Sequence, residues 1–252
     1  MAEPVSPPPP THLNLQSFPM GNLRFLPSLE DFENHESWSN RVQSSFAEAA
    51  GLVERILPLL HFPIVSFVAP VLEETFRKEN GIPAWADAFS RGNEIFICSA
   101  LPPESLTPVL AHELFHFAVS DHSDSRNCLP DWFNEALAYL IQDDNGIEHQ
   151  AMRTYLKYDS SLVISLMLED RILEESTYGT ALAKAFGRFL KGRYSLSLIS
   201  ELVLGTIYRG DFHESAVLLL GQSPRELIEA WLSHLAWEQN LYFYEEPVRY
   251  VG

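Results

Sequence analysis

The 252-residue chain has few cysteines, and it has no long apolar run. The two cysteines, Cys98 and Cys128, are too few for a disulfide scaffold and form no C-x-x-C pair. Because the sequence contains no uncharged apolar stretch of about 18 residues, it predicts no transmembrane helix. We therefore expect a protein without a disulfide framework and without a membrane span.

Basic residues are also scarce, since 17 Lys and Arg stand against 34 Asp and Glu, which gives a formal net charge of −17. Binding of nucleic acid or of an anionic membrane surface needs clustered Lys and Arg, so this composition argues against both partners. The 46% of apolar residues is ordinary for a globular protein with a sizeable core. The amino terminus has neither a basic start nor an apolar run, so we expect no secretory signal and a cytoplasmic protein.

The prolines are concentrated at the amino terminus, where residues 1–28 are predicted to be a disordered tail. Pro4 and the run Pro7 to Pro10 favour an extended polyproline conformation and provide no backbone donors for regular structure. A spacer is the favoured interpretation, and binding of a protein partner by the tail is the alternative. Residues 29–252 are predicted to form one domain.

Hydrophobic periodicity predicts an α+β fold for this domain, with strands only in its amino-terminal part, which ends at about residue 122. Here we predict two strands, at 63–69 and 93–98, a loop at 82–92, and helices at 38–60, 70–80 and 104–120. The part from about 123 to 240 is predicted to be mainly helical, with helices at 131–142, 148–157, 177–191, 194–208, 212–220 and 223–237.

The apolar helix predicted at 104–120 contains the pattern H-E-x-x-H, formed by His112, Glu113 and His116. Residues four apart share one face of a helix, so both imidazoles can bind one tetrahedral zinc ion. Glu113 lies about a hundred degrees round the helix, where it can reach a water at the metal rather than the metal itself. Two imidazoles and a carboxylate buried among apolar residues would be costly without a cation, which favours one Zn²⁺ ion over two core histidines.

A catalytic zinc site commonly has three protein ligands, and the sequence offers two candidates for the third. Glu135 lies in the apolar segment Trp132-Phe-Asn-Glu-Ala-Leu-Ala, where a carboxylate would be costly without a cation. His122 has the spacing H-E-x-x-H-x-x-G-x-x-H of metzincins, but Val119 stands where that pattern needs a glycine with positive φ. Both candidates stay open on these grounds.

The two motifs together resemble those of the gluzincin metallopeptidases, which include thermolysin-like, aminopeptidase N-like and peptidase MA-like proteins. The second motif is similar to the Trp-Leu-Asn-Glu-Gly-Phe-Ala of the aminopeptidase group, and the resemblance extends over about residues 60–237. It implies a zincin-like fold, hydrolysis of peptide or protein substrates, zinc ligation by His112, His116 and Glu135, and Glu113 as the general base.

The resemblance further implies a tyrosine that stabilises the transition state, and Tyr178 is the candidate, with Tyr155, Tyr158 and Tyr194 as alternatives. It also implies that the strand at 94–98 is an edge strand that pairs with extended substrate. The chain lacks the Gly-x-Met-Glu-Asn motif by which aminopeptidases hold a free amino terminus, so aminopeptidase specificity is not predicted. A zinc-binding interaction protein with a vestigial site is the hypothesis from a different functional class.

Overall fold

The structure is a computed structural model that describes residue 19 and residues 22–26, 35–82, 86–98, 101–123, 129–142, 160–173 and 176–245. Contacts divide the chain into two units, residues 1–126 and 127–252. The regular elements of the described residues are helices and one small mixed sheet, which confirms the predicted α+β class. None of the described helices has both the length and the apolar character needed to cross a membrane.

Within the described part of the first unit, four strands form one sheet: β1 (Leu23–Leu26), β2 (Ile64–Val68), β3 (Ala88–Arg91) and β4 (Glu94–Cys98). Their order is β1-β2-β4-β3. The strands β1, β2 and β4 run parallel to one another, and Val65 of β2 pairs with Leu23 of β1 on one side and with Ile95 of β4 on the other. The strand β3 runs antiparallel to β4. The strands β2 and β4 confirm the two strands predicted from the sequence.

The strand β1 lies inside residues 1–28, so the prediction of a disordered tail was wrong for residues 23–26. A four-residue strand has little local signal, and its backbone hydrogen bonds come from pairing with β2, some forty residues away. Apart from residues 19 and 22–26, the predicted tail, including its proline run, lies outside the described residues.

The strand β3 lies in the segment 82–92, which the sequence predicted to be a loop. Gly92, with φ of 58°, and Asn93 form the two-residue connection between β3 and β4. A Gly-Asn pair between two short runs is a hairpin signal, so this strand was open to prediction. Among the described strands the hairpin makes β4 internal and leaves β3 and β1 at the two edges, which corrects the expectation that residues 94–98 form an edge strand.

Three helices, α1 (His35–Val53), α2 (Pro70–Asn80) and α3 (Leu106–His122), accompany this sheet. The helix α2 has the predicted bounds and ends at Gly81, whose φ of 68° suits a residue without a side chain. The helix α1 ends at Val53, seven residues before the predicted position 60, and Pro58 excludes a helix that continues to that position. Its apolar face packs on α3 and buries Val42, Phe46, Ala49, Ala50 and Val53.

The end of β4 is tied to α2 through Arg77. Its guanidinium donates to the Cys98 thiol at 2.8 Å, pairs with Glu73 at 2.8 Å, and donates to the carbonyl of Ala86. Burial raises the pKa of the Cys98 thiol to about 11. The thiol is therefore protonated at neutral pH, and Cys98 acts as a core residue rather than a nucleophile.

In the second unit the described elements are helices: α4 (Asp131–Gln142), α5 (Ser160–Leu168), α6 (Ser176–Arg193), α7 (Leu196–Arg209), α8 (Phe212–Leu220) and α9 (Pro224–Glu245). The helices α4 and α8 have the predicted bounds, and the others predicted in these segments differ by a few residues at their ends, with α9 extending eight residues further. The helix α5 was not predicted, because Ser-Ser-Leu-Val-Ile-Ser-Leu-Met-Leu shows no helical periodicity. The predicted helix 148–157 lies outside the described residues.

The core of this unit is an aromatic cluster that includes residues of four helices. Trp132 of α4 contacts Phe186 of α6 edge-on at 5.1 Å between ring centroids, and Phe133 lies 4.6 Å from Phe212 of α8. Phe186 also lies 5.3 Å from Trp231 of α9. All five rings are buried, so this cluster packs one side of the first turns of α4 on the neighbouring helices.

Candidate metal centre

His112 and His116 lie one turn apart on α3, as the sequence predicts. Their Nε2 atoms are 3.1 Å apart and both side chains are half-buried. The flanking residues of the helix are buried and apolar: Val109, Leu110, Ala111, Leu114, Phe115, Phe117 and Ala118. The helix thus places two imidazole nitrogens side by side in largely apolar surroundings.

Glu135 provides the third donor. One donor atom from each of His112, His116 and Glu135 lies within 4.8 Å of the other two, so the three side chains could hold a metal ion. Glu135 is half-buried in α4, between the buried residues Phe133 and Ala136. Of the two candidates for a third ligand, Glu135 is thus the one that this group of donors includes.

The spacing of the two histidines fits a tetrahedral zinc ion. Zinc–nitrogen bonds of about 2.0–2.1 Å at tetrahedral angles place two ligand nitrogens about 3.3–3.4 Å apart. The observed separation of the Nε2 atoms is 3.1 Å. Two nitrogens and one carboxylate oxygen form a donor set that zinc accepts in catalytic sites.

Glu113 lies on α3 next to His112 and is buried, with 8% of its surface exposed. It does not belong to the group of three donors. Because successive residues of a helix are rotated by about a hundred degrees, its carboxylate leaves α3 in a different direction from the His112 imidazole. The role of Glu113 as a general base stays a prediction.

His122 forms another contact. Its Nε2 lies 2.8 Å from the carbonyl oxygen of Pro58, so this nitrogen donates its proton to the backbone. The histidine lies in the last turn of α3, and it belongs to no group of metal donors found among the described residues. The contact ties the end of α3 to the segment that follows α1.

The tyrosines proposed for the transition state are only partly described. The backbone of Tyr178 lies in the first turn of α6, while its side chain, and the whole of Tyr155 and Tyr158, lie outside the described part of the chain. Tyr194 donates its hydroxyl to Gln222 at 2.7 Å and accepts from Arg193 at 3.2 Å. The single phenolic proton of Tyr194 is therefore used within the second unit.

Gly187 allows α6 to approach α4 directly beside the third donor. A Cβ atom at this position would lie 2.3 Å from the backbone oxygen of Ala136, the residue that follows Glu135. Sequence analysis did not single out Gly187. A glycine inside a predicted helix nevertheless indicates close packing at that position. It destabilises the helix by about 1 kcal/mol relative to alanine, and such a glycine usually has a packing or functional role.

We expect Gly187→Ala to lower the free energy of unfolding by about 1–3 kcal/mol, because the new methyl group meets backbone rather than a movable side chain. Gly192→Ala is the matched control, since Gly192 lies in the same helix and a Cβ there meets nothing within 4 Å. The control is expected to leave stability unchanged or to raise it by up to about 1 kcal/mol. Urea denaturation of both variants measures this, and equal stability of the two would contradict the close contact.

A cavity of about 650 Å³ lies in the first unit beside the last turns of α3. Its lining includes Phe62, Phe117 and the pair His61–Asp121, in which Nδ1 of His61 lies 2.9 Å from the carboxylate. None of the three metal donors lines it. The cavity is therefore separate from the candidate metal centre.

Comparison with known proteins adds no assignment. The chain matches no family model, no curated protein and no solved structure. A functional conclusion therefore depends on the motifs of the sequence and on the chemistry of His112, His116, Glu135 and Glu113.

Proposed function

We propose that the protein is a zinc-dependent metallopeptidase of the gluzincin type, with one zinc ion held by His112, His116 and Glu135. The observation that carries this proposal is the group of three donor atoms within 4.8 Å of one another. Three protein ligands that include two histidines are typical of catalytic rather than structural zinc sites, which use four. The two sequence motifs support the assignment to gluzincins.

Glu113 is the general base in this proposal. A zinc ion held by His112, His116 and Glu135 would supply Lewis-acid chemistry, since it would lower the pKa of a bound water towards about 7 and would polarise a scissile carbonyl. The Glu113 carboxylate accepts the proton of the attacking water and later delivers it to the leaving amine. Its position next to the ligand His112 on α3, outside the group of three donors, supports this role.

The substrate class in this proposal is a peptide in extended conformation. The strand β3 lies at the edge of the sheet and packs on α3, the helix that carries both histidines. Backbone groups on the outer side of an edge strand can pair with an added peptide strand. The net charge of −17 favours neutral or basic peptides over acidic ones.

Digestion of an unbiased peptide library tests the proposal directly. We expect cleavage by the zinc-loaded protein, loss of cleavage after treatment with a zinc chelator, and recovery when zinc is restored, because the chemistry needs the metal. Mass spectrometry of the library measures all three states. A protein that binds zinc but cleaves no peptide would contradict the peptidase assignment and favour the interaction protein with a vestigial site.

A further inference from the structure

The carboxylate of Asp170 lies at the amino-terminal end of α4, the helix that carries Glu135. It accepts hydrogen bonds from the backbone N–H of Asp131 at 3.0 Å and of Trp132 at 3.4 Å. These two residues begin α4, and Glu135 follows one turn later. The cap therefore comes from a residue that is almost forty positions away in the sequence.

The remaining amino-terminal donors of α4 have a different partner. The first four N–H groups of a helix lack partners inside it. The carbonyl of Pro130 accepts from Phe133 at 3.0 Å and from Asn134 at 2.9 Å, which leaves the N–H groups of Asp131 and Trp132 for Asp170. The two residues directly before α4, Leu129 and Pro130, have no polar side chain, so neither can cap the helix.

The backbone of Asp170 is itself constrained. With φ of 55°, Asp170 is the one non-glycine residue with positive φ among those that the structure describes. Such a conformation persists where the surrounding structure holds it. Gly179 contributes to this, because a Cβ at that position would lie 2.7 Å from the oxygen of Ile172 and 2.8 Å from Cα of Leu173, so α6 packs closely on the segment that follows Asp170.

We infer that Asp170 is a positioning residue for the metal ligand Glu135, an inference that rests on the proposed zinc site. Two hydrogen bonds to successive N–H groups fix both the axial position and the rotation of the first turn of α4. The direction in which the Glu135 carboxylate leaves the helix follows from that rotation. A negative charge at this end of the helix also interacts favourably with the helix dipole.

A second helix cap in the same unit provides the matched control. Asp211 precedes the first residue of α8 and accepts from the N–H of Glu214 at 2.9 Å, and α8 carries none of the three metal donors. Removal of either carboxylate weakens a helix end by a similar mechanism. A loss of zinc affinity that occurs at Asp170 and not at Asp211 therefore separates positioning of the ligand from general stability.

The experiment measures the zinc dissociation constant of the full chain by competition with a chromophoric chelator, for the wild type and for Asp170→Gly, Asp170→Asn and Asp211→Gly. Glycine accepts positive φ without strain, so Asp170→Gly removes the carboxylate and keeps the backbone conformation. We expect it to weaken zinc binding about tenfold, as loss of an outer partner of a metal ligand commonly does. Asp211→Gly is expected to bind zinc like the wild type.

Asp170→Asn keeps one acceptor oxygen and is expected to bind zinc with an affinity between those of the wild type and Asp170→Gly. It also decides the question if Asp170→Gly does not fold. Wild-type affinity in both Asp170 variants, or an equal loss in Asp211→Gly, would overturn the inference while leaving the zinc site in place. A wild-type protein that binds no zinc would instead overturn the proposed function.

Discussion

Replacement of Glu113 by glutamine is expected to lower peptide hydrolysis by about a hundred- to ten-thousandfold, the usual contribution of a general base. Glutamine has nearly the same shape as glutamate but cannot accept the proton of the attacking water. Because Glu113 does not belong to the group of three donors, we expect the variant to bind zinc like the wild type. Hydrolysis of a cleaved library peptide and the zinc content of the same samples measure both effects.

The matched control for this prediction is Glu104→Gln. Glu104 lies in the short 3-10 turn just before α3 and is exposed, so the same chemical change there removes a surface charge only. The control is expected to keep full activity. A fully active Glu113→Gln protein would refute the mechanism, and loss of zinc from that variant would show that Glu113 is a ligand instead.

Replacement of Glu135 by alanine is expected to weaken zinc binding more than about a hundredfold, which exceeds the effect of losing an outer partner of a ligand. The variant retains His112 and His116, and two imidazoles hold zinc much less tightly than three ligands do. His122→Ala is expected to keep wild-type zinc affinity, since Nε2 of His122 donates to the Pro58 carbonyl. Equilibrium competition with a chelator measures each affinity.

The opposite pattern would identify a different class of peptidase. If His122→Ala loses zinc while Glu135→Ala keeps it, the third ligand is the histidine of a metzincin-like site. Thermal unfolding of both metal-free variants serves as the control. A fold lost in one of them alone would explain a loss of zinc without any change of ligand.

The parts of the site that depend on helical periodicity could be predicted from the sequence. His112 and His116 are four residues apart, and one turn of helix alone brings their side chains together. The position of Glu135 depends on a second helix, so its spacing and apolar neighbours made it one of two candidates only. The structure includes its carboxylate in the donor group, a proximity that no local pattern encodes.

The parts that could not be predicted depend on contacts between distant residues. The strand β1 pairs with a strand about forty residues later, and four residues carry too little local preference to predict it. Asp170 caps a helix across an almost equal distance, so no capping motif precedes α4. By contrast, Ser223 and Glu226 form a local capping box, with hydrogen bonds of 2.7 and 3.3 Å, and this helix start was predicted correctly.

The zinc content of the purified wild-type protein tests the central claim most directly. Elemental analysis after dialysis against buffer with trace zinc is predicted to find one zinc ion per chain. The same measurement on a His112→Ala, His116→Ala double variant is predicted to find none, because only the Glu135 carboxylate then remains of the three donors. A wild-type protein without zinc, or a double variant that still holds one ion per chain, would contradict the account.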